Sequence, residues 1–332
     1  MNGDPVRVTV VIPNFNGLGR MDGVLESLAQ QSYTDFETVV VDNGSSDGSV
    51  EHLRRRWPGV KVVAWPENRG FAAAVNEGFR RARGEYVALV NNDVELDPGW
   101  LEAMITALES RDRAASIASR LLEWERRNML DGAGDLVGWD GYCVRRGQGE
   151  KDVGQYSEPG PVVSACAAAA LYRASAFEDV GPFDESFFAY VEDIDWGIRA
   201  QLAGWQCFYE PNAVAYHVGG ATSGEITGFE LFQNHRNTIL MMIKNFPLPA
   251  LIIAGPWSVL RRAMSLVKAG TRGEGRVLMR AWLAAAAATP TTLRARREVQ
   301  GRRRSGYLHL VRTLRPAYRP RRRGAHQAGV VG

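Results

Sequence analysis

LVNNDVELD, Leu89 to Asp97, decides how the rest of the chain is read. An apolar segment runs into Asn91, Asn92 and Asp93 and stops, so amide and carboxylate oxygens sit at the end of a short strand. Open α/β folds bind ligands at the carboxyl edge of the sheet. Hard oxygen donors there suit Mg²⁺ or Mn²⁺ carrying a diphosphate. Taken alone, the stretch is equally well an Asn/Asp turn after a strand, so its neighbours decide.

Upstream, strand and helix alternate. Val6 to Pro13 is a β-branched run ended by proline, and Arg20 to Gln31 carries Met21, Val24, Leu25 and Leu28 at a helical period. Phe36 to Val41 is a second strand, and the cluster from Asp42 to Asp47 offers N-cap residues to a helix running through Arg56. Val60 to Trp65 reads as a third strand, Gly70 to Ala82 as a third helix, and Glu85 to Val90 as the strand leading into NND. Four such units in about 95 residues imply a mostly parallel sheet with helices on both faces.

The strand ends then share one rim. It gathers Pro13, Asn14 and Asn16 after the first strand, Asp42 and Asn43 after the second, Asn68 and Gly70 after the third, and Asn91, Asn92 and Asp93 after the fourth. Asp42 can accept from a base N–H or a ribose hydroxyl, and Gly70 with Ala72, Ala73 and Ala74 would let a nucleotide approach the backbone. Neither GxGxxG nor GxxxxGK[ST] occurs, which disfavours a Rossmann dinucleotide site and a P-loop.

VTVVIPNFNG, VVDNGSSDGS, ENRGFAAAVNEG and LVNNDVELD, in this order and at these distances, resemble the nucleotide-sugar half of family 2 glycosyltransferases with the GT-A fold. With NND in place of the usual DxD, the chain is similar to bacterial rhamnosyltransferases and relatives that build O-antigen and cell-wall polysaccharides. The resemblance implies Mn²⁺ or Mg²⁺ as cofactor, with Asp93 as the carboxylate that meets it. Asn91 takes an aspartate's place, which leaves the site one charge poorer.

The second half should supply the acceptor side. Ala114 to Leu122 reads as a strand, Glu123 to Pro161 as a variable loop region, and Val162 to Tyr172 as a small-residue strand with Cys166 in the core. In Phe183 to Trp205, Ile194, Ile198 and Leu202 repeat at i, i+4 and i+8, and Glu192, Asp193 and Asp195 open the segment. The helix dipole alone favours acids there. A transferase that activates a sugar hydroxyl also needs one carboxylate facing the acceptor, and a helix N-terminus presents it rigidly. The segment resembles the ED(x)D motif of the same family, whose second acid is the general base. By that resemblance Asp193 is the base, with Glu192, Asp195 and Trp196 on the acceptor side.

His217 ends a short strand, where a lone histidine is as a rule packed or solvated. The family places a metal-binding histidine at about this point. Asp93 and His217, two diphosphate oxygens and water would then complete an octahedral site, and the imidazole inclines it toward Mn²⁺. Phe229 to Phe246 reads as a helix interrupted by Asn234, His235, Arg236 and Asn237. Arg236 can reach a diphosphate or an acceptor phosphate bidentately, or serve as a plain surface charge. His235 reads as solvated surface.

Composition bounds the class. A chain of 332 residues, 45% hydrophobic, can bury a sizeable core as one large domain or two smaller ones. The net +3 hides a division: residues 1–260 hold 22 Lys and Arg against 35 Asp and Glu, whereas residues 261–332 hold 18 against 2. So basic a block points to a polyanion. Cys143, Cys166 and Cys207 are odd in number and lack CxxC spacing, which argues against a disulfide framework or zinc site and fits a reducing cytoplasm. Met1 to Pro5 is short and polar, so no signal peptide is expected. Phe246 to Leu260, punctuated by Pro247, Pro249 and Pro256, is an apolar run of about 15 residues against the roughly 20 of a spanning helix, and reads as peripheral.

Arg261-Arg262, Arg302-Arg303-Arg304 and Arg321-Arg322-Arg323, with Trp257 and Trp282, read as amphipathic helices on an anionic inner leaflet. No nucleic-acid motif accompanies them, so no nucleic-acid partner is expected. The expected organisation is a GT-A domain over 1–245 (nucleotide-sugar half 1–97, acceptor half 98–245), a basic membrane-associated helical region over 246–323, and a disordered tail over 324–332. The tail can also carry self-association into a homo-oligomer. The expected location is cytoplasmic, peripheral on the inner face of the plasma membrane.

The expected reaction is one-step inversion at the anomeric carbon, moving L-rhamnose from dTDP-rhamnose to a hydroxyl of a lipid-linked or polysaccharide acceptor. UDP-galactofuranose, UDP-N-acetylhexosamine and GDP-mannose are the alternative donors. A nucleotidyltransferase should show a Gly-rich loop with Lys or Arg near the first strand, which PNFNGLGR matches poorly. A membrane-bound nucleotide-binding scaffold would not need an acid positioned like Asp193. A processive synthase should carry spanning helices and a QxxRW-type motif.

Overall fold

A computed structural model describes residues 6–219, 228–306, 313 and 314. The Arg321 to Arg323 cluster and the 324–332 tail lie outside the described residues.

Strand β1 (Val8–Asn14) is buried along its whole length. Val8, Val10 and Ile12 pack into one apolar cluster and Val11 into another. Successive side chains of a strand point to opposite faces, so a β-branched run of this kind needs cover on both. The cover comes from α1 (Leu18–Ala29), α2 (Ser49–Arg56) and α3 (Phe71–Arg81), which alternate with β2 (Phe36–Asp42), β3 (Lys61–Ala64) and β4 (Tyr86–Val90). These strands run parallel in the order β3-β2-β1-β4. Every boundary lies within a residue or two of the sequence reading.

Beyond β4 the sheet becomes mixed rather than mostly parallel. After β5 (Val94–Leu96), α4 (Trp100–Glu109) and β6 (Ala114–Glu123), the stretch read as a variable loop forms β7 (Leu130–Gly132), β8 (Asp135–Val137), β9 (Cys143–Arg145) and the start of β10 (Gly160–Val162). Three-residue strands are too short to show a period. The Val162 to Tyr172 run is not one strand: β11 (Ala169–Arg173) begins only after a loop and lies antiparallel to both β4 and β6. β12 (Gln206–His217) pairs parallel with β6 and antiparallel with β5.

Helices follow: α5 (Ala174–Val180), α6 (Glu192–Leu202), α7 (Phe229–Asn245), α8 (Leu248–Gly270) and α9 (Gly275–Gly301). The prolines expected to punctuate the apolar run do not break α8. Pro249 lies in its first turn, where the missing N–H would be unpaired anyway, and Pro256 is carried within the helix. At 23 residues α8 is long and apolar enough to cross a membrane. The basic C-terminal block is partly committed to the domain. Arg296 on α9 donates to the Ile243 and Phe246 carbonyls at 2.7 and 2.6 Å, and Arg304 pairs with Asp179 at 2.8 Å.

Candidate active site

The ends of β1 and β4, the loop before β11, the start of α6 and parts of α7 and α8 enclose a cleft of about 1200 Å³. Its first wall is a chain of amides. Asn92 Nδ2 donates to Asn14 Oδ1 at 2.7 Å, and Asn14 Nδ2 donates to Asp42 Oδ2 at 2.8 Å. Asp42 also accepts from the Ser45 N–H at 3.0 Å. Asp42 is buried and orients Asn14 from behind, and it does not itself line the cleft. A Cβ on Gly17 would strike both Asn14 and Asn92, so the pair is locked from behind. Asn43 bonds Asn68 Oδ1 at 3.0 Å, and both line the cleft together with Pro13.

Asn16 turns away and accepts from Ser46 N–H at 2.9 Å. Gly70 (φ +93°) does not line the cleft either. It admits Phe188, whose ring and carbonyl lie 2.7 Å from where a Cβ would be.

The second feature is built by sheet pairing. β12 sets His217 opposite Val94, and Val218 N–H donates to the Asp93 carbonyl at 3.1 Å. The side chains meet as well, with His217 Nε2 at 3.4 Å from Asp93 Oδ1. The other ring nitrogen, Nδ1, lies 2.8 Å from Asp131 Oδ2, and Arg145 binds the same oxygen. Burial opposes protonation of His217, but the two carboxylates outweigh it and raise its pKa to about 9. Burial likewise pushes Asp93 up, and its bond with His217 outweighs that and holds it below the ordinary range. Beside the pair, Asn91 Oδ1 is buried with no hydrogen-bond partner.

Two carboxylates, an imidazole whose far nitrogen is oriented by one of them, and an orphaned amide oxygen fit a divalent cation such as Mn²⁺ or Mg²⁺. Among the described residues no group of three or more His, Cys, Asp and Glu could hold a metal by itself. A cation here would need oxygens from a diphosphate or water.

Asp193 opens α6, with its carboxylate accepting from the Ala167 N–H at 3.0 Å and the Ile194 N–H at 2.7 Å. The turn before it is strained. Phe188, Tyr190 and Val191 all have positive φ (63°, 70° and 72°), which costs roughly 1–3 kcal/mol each for non-glycine residues. Asn237, fully buried on α7, holds the turn by donating to the Phe187, Ala189 and Tyr190 carbonyls at 2.9 Å. Arg236 braces the same turn through the Ser186 carbonyl at 3.0 Å and does not line the cleft.

Burial raises Asp193 above the usual carboxylate range, against the pull of its backbone bonds. Asp135 is its neighbour, bonded by Ser164 Oγ at 2.7 Å. Burial first, and the Asp193 charge second, push Asp135 up to about 8, so it is neutral at pH 7. Each carboxylate opposes the charge of the other, and of the two it is Asp193 that backbone N–H donors favour as the anion. Glu192 also lines the cleft. Burial and Asp193 hold it well above the ordinary range, and its Oε2 has no partner.

Besides Arg236, two more residues expected on the acceptor side sit elsewhere. Asp195 is fully buried beneath α6, bonded to Arg199 at 2.9 Å, Lys244 at 2.8 Å and Asn245 at 2.7 Å. Trp196 is buried among Tyr172, Phe177 and Phe183, with its indole N–H donating to the Gly181 carbonyl. An α-helix turns 100° per residue, so positions 193 and 195 cannot share a face. His235, read as solvated surface, lines the cleft. Asp131, Asp135 and Arg145 come from the stretch that showed no period, and no signal in the sequence marks them. The Asn237 amide did interrupt an apolar helical pattern, which could have flagged it. Cys166 is buried with its thiol pushed up by burial, as expected of a packing residue.

The profile described as "Glycosyl transferase family 2" matches residues 9–181, more than half of the chain. The N-acetylglucosaminyl-diphospho-decaprenol L-rhamnosyltransferase of Mycobacterium tuberculosis is 25% identical over 260 residues, covering 70% of this chain and 83% of that protein. A mannosyltransferase structure from Pyrobaculum calidifontis, in complex with GDP-Man and Mn²⁺, superposes with a TM-score of 0.53 at 17% identity, covering 93% of this chain and 87% of that one. The structure of GalNAc-T7 with UDP, GalNAc and Mn²⁺ superposes with a TM-score of 0.59 at 15% identity, covering 74% of this chain but about half of that one (49%). The fold is GT-A, with C-terminal helices packed against it. The chain belongs to glycosyl transferase family 2 and is a glycosyltransferase.

Proposed function

We propose that the enzyme moves L-rhamnose from dTDP-rhamnose to a hydroxyl of a lipid-linked or polysaccharide acceptor, with inversion at the anomeric carbon. The observation that carries this reading is one cleft shared by Asp193 and the Asp93–His217 pair. The choice of rhamnose rests on the mycobacterial relative's name.

Asp193 takes the proton from the attacking hydroxyl, its basicity raised by burial and its charge secured by a neutral Asp135. Glu192, protonated, can donate a hydrogen bond to a sugar oxygen. Asn14, Asn92, Asn43 and Asn68 bind the nucleotide, and Asp42 keeps Asn14 in position. Asp93 and His217, with Asn91 Oδ1 beside them, would hold Mn²⁺ or Mg²⁺, and Asp131 orients the imidazole. The cation, when bound, neutralises the charge that develops on the leaving nucleoside diphosphate.

The protein works on the inner face of the plasma membrane, held there by α8. This helix buries the small residues Ala250, Ala254 and Ser258 and exposes Ile253, Trp257, Leu260, Met264 and Val267. A helix of a water-surrounded domain does the reverse, whereas an interfacial helix keeps its apolar stripe for lipid. Arg261 on the same helix binds Asp140 of the domain, which favours α8 lying on the bilayer over passing through it.

The test is thermal stabilisation by dTDP, UDP, GDP and CDP, each with and without Mn²⁺, repeated with Asp93→Ala. A ligand that binds only the folded state raises the midpoint according to ln(1 + [L]/Kd). A Mn²⁺-dependent shift with dTDP that vanishes in the variant supports the reading. A shift with another base alone reassigns the donor, and no shift with any base contradicts a nucleotide-sugar site.

A further inference from the structure

The cleft also has an apolar side. Phe188, Tyr190 and Phe229 line it, each half-buried, and Phe229 meets the other two edge-on, with ring centroids 6.1 Å from Phe188 and 6.2 Å from Tyr190. Aromatic side chains in a ligand cleft bind apolar surface, while the few polar groups around them fix orientation. A sugar offers both. Its hydroxyls are polar, and the C–H bonds between them form a weakly positive apolar face that suits the negative face of an aromatic ring.

The backbone is strained where it carries two of these rings. Phe187, Phe188 and Ala189 form a γ-turn of the rare kind, in which Phe188 has φ 63° and ψ −62° and the Ala189 N–H donates to the Phe187 carbonyl at 2.7 Å. Tyr190 follows at φ 70°. Glycine would make the same turn without the cost and still lead into Asp193. What phenylalanine and tyrosine add is a ring, and strain kept at a cleft points to a functional demand.

The turn also ties the two sides of the site together. The Phe188 carbonyl accepts from the Ala72 N–H at 3.2 Å, and its ring occupies the space that Gly70 leaves. The Gly70 carbonyl in turn accepts at 3.1 Å from Asn43 Nδ2, one of the amides assigned to the nucleotide. At its other end the turn runs into Asp193. In a nucleotide-sugar the sugar lies between the diphosphate and the attacking hydroxyl, so it occupies the space between those amides and Asp193, where the rings stand. We infer that Phe188, Tyr190 and Phe229 form the platform that holds the C–H face of the donor's sugar. The inference rests on the donor reading above and goes beyond it by naming the side chains that bind the sugar rather than the nucleotide.

The test is calorimetric titration of the full chain, with Mn²⁺ present, by each nucleoside diphosphate and its sugar nucleotide: dTDP and dTDP-rhamnose, UDP and UDP-glucose, GDP and GDP-mannose. Within the pair that binds best, wild type should hold the sugar nucleotide about tenfold tighter than the nucleotide, and Phe229→Ala or Phe188→Gly should each cut that margin about threefold to fivefold. The nucleotide's own affinity should stay within about twofold of wild type, and Phe229→Tyr, which keeps the ring, should keep the margin. Glycine suits the backbone at position 188; should Phe188→Gly still fail to fold, Phe229→Ala at the first position of α7 is read alone. Wild type binding both members of the pair equally overturns the platform. So does an unchanged margin in the folded variants, or an equal loss for nucleotide and sugar nucleotide, which would place the rings under the base. Failure of every nucleoside diphosphate to bind wild type would count instead against the donor reading, so the two failures are told apart.

Discussion

The rim at the ends of β1 to β4 and the wall formed by α6, α7, α8 and the 124–168 stretch face each other across one cleft, but they are made differently. On the rim each polar side chain follows its own strand by a few residues, and the parallel sheet brings the ends together without further help. On the wall, Asp193 is presented by a strained turn that Asn237 holds from another helix, beside Asp135 and Arg262 from still other segments. The rim is a property of the sheet. The wall is a property of packing between distant segments, and it should be the part that fails first.

The largest effect should come from beneath the wall. Asp195 has no exposure and is shared by Arg199, Lys244 and Asn245. Asp195→Ala leaves buried Arg199 without its anion and takes one of two carboxylates from buried Lys244, which keeps Asp184, and it should destabilise the protein by about 3–5 kcal/mol in denaturant unfolding. A loss under 1 kcal/mol would mean that the wall is not held as described.

Asp131 sharpens the comparison, because it belongs to the 124–168 stretch yet supports His217 on the donor side. Asp131→Asn should weaken Mn²⁺-dependent nucleotide binding by about 10–100-fold, the usual cost of losing a carboxylate behind a metal-binding histidine. An unchanged metal titration would separate His217 from the cation. The smallest effect is assigned to Asn237→Ala, which leaves buried carbonyls unpaired at a cost of roughly 1–3 kcal/mol. Here the loss should appear in transfer and in acceptor KM, with nucleotide affinity held. A fall in nucleotide affinity instead would erase the distinction between rim and wall.

Legibility in the sequence followed the same division. The β-branched runs of β1, β2 and β4 and the polar residues after them are local features, so the parallel half of the fold and most of the rim could be read directly. What could not be read is which polar groups face the cleft and which hold each other: Asp42 looked like a ligand contact and lies buried behind Asn14, off the cleft lining. In α6 the helical period was plain, but Asp193 and Asp195 were taken together although 100° per residue puts them on opposite faces, with Asp195 in the core. Asp131, Asp135 and Arg145 lie on strands of three residues, below the length at which alternation means anything. Arg262 carried a charge pattern that fitted a membrane equally well, and only the packing of α8 turned it toward the cleft.

The measurement that bears most directly on the central claim compares Asp193→Asn with wild type in two readouts: transfer from dTDP-rhamnose, and calorimetric affinity for dTDP with Mn²⁺. A wall residue that acts as base predicts transfer reduced by about 10²–10⁴-fold with dTDP affinity within twofold of wild type. Retained turnover, or nucleotide binding lost together with transfer, would contradict the account.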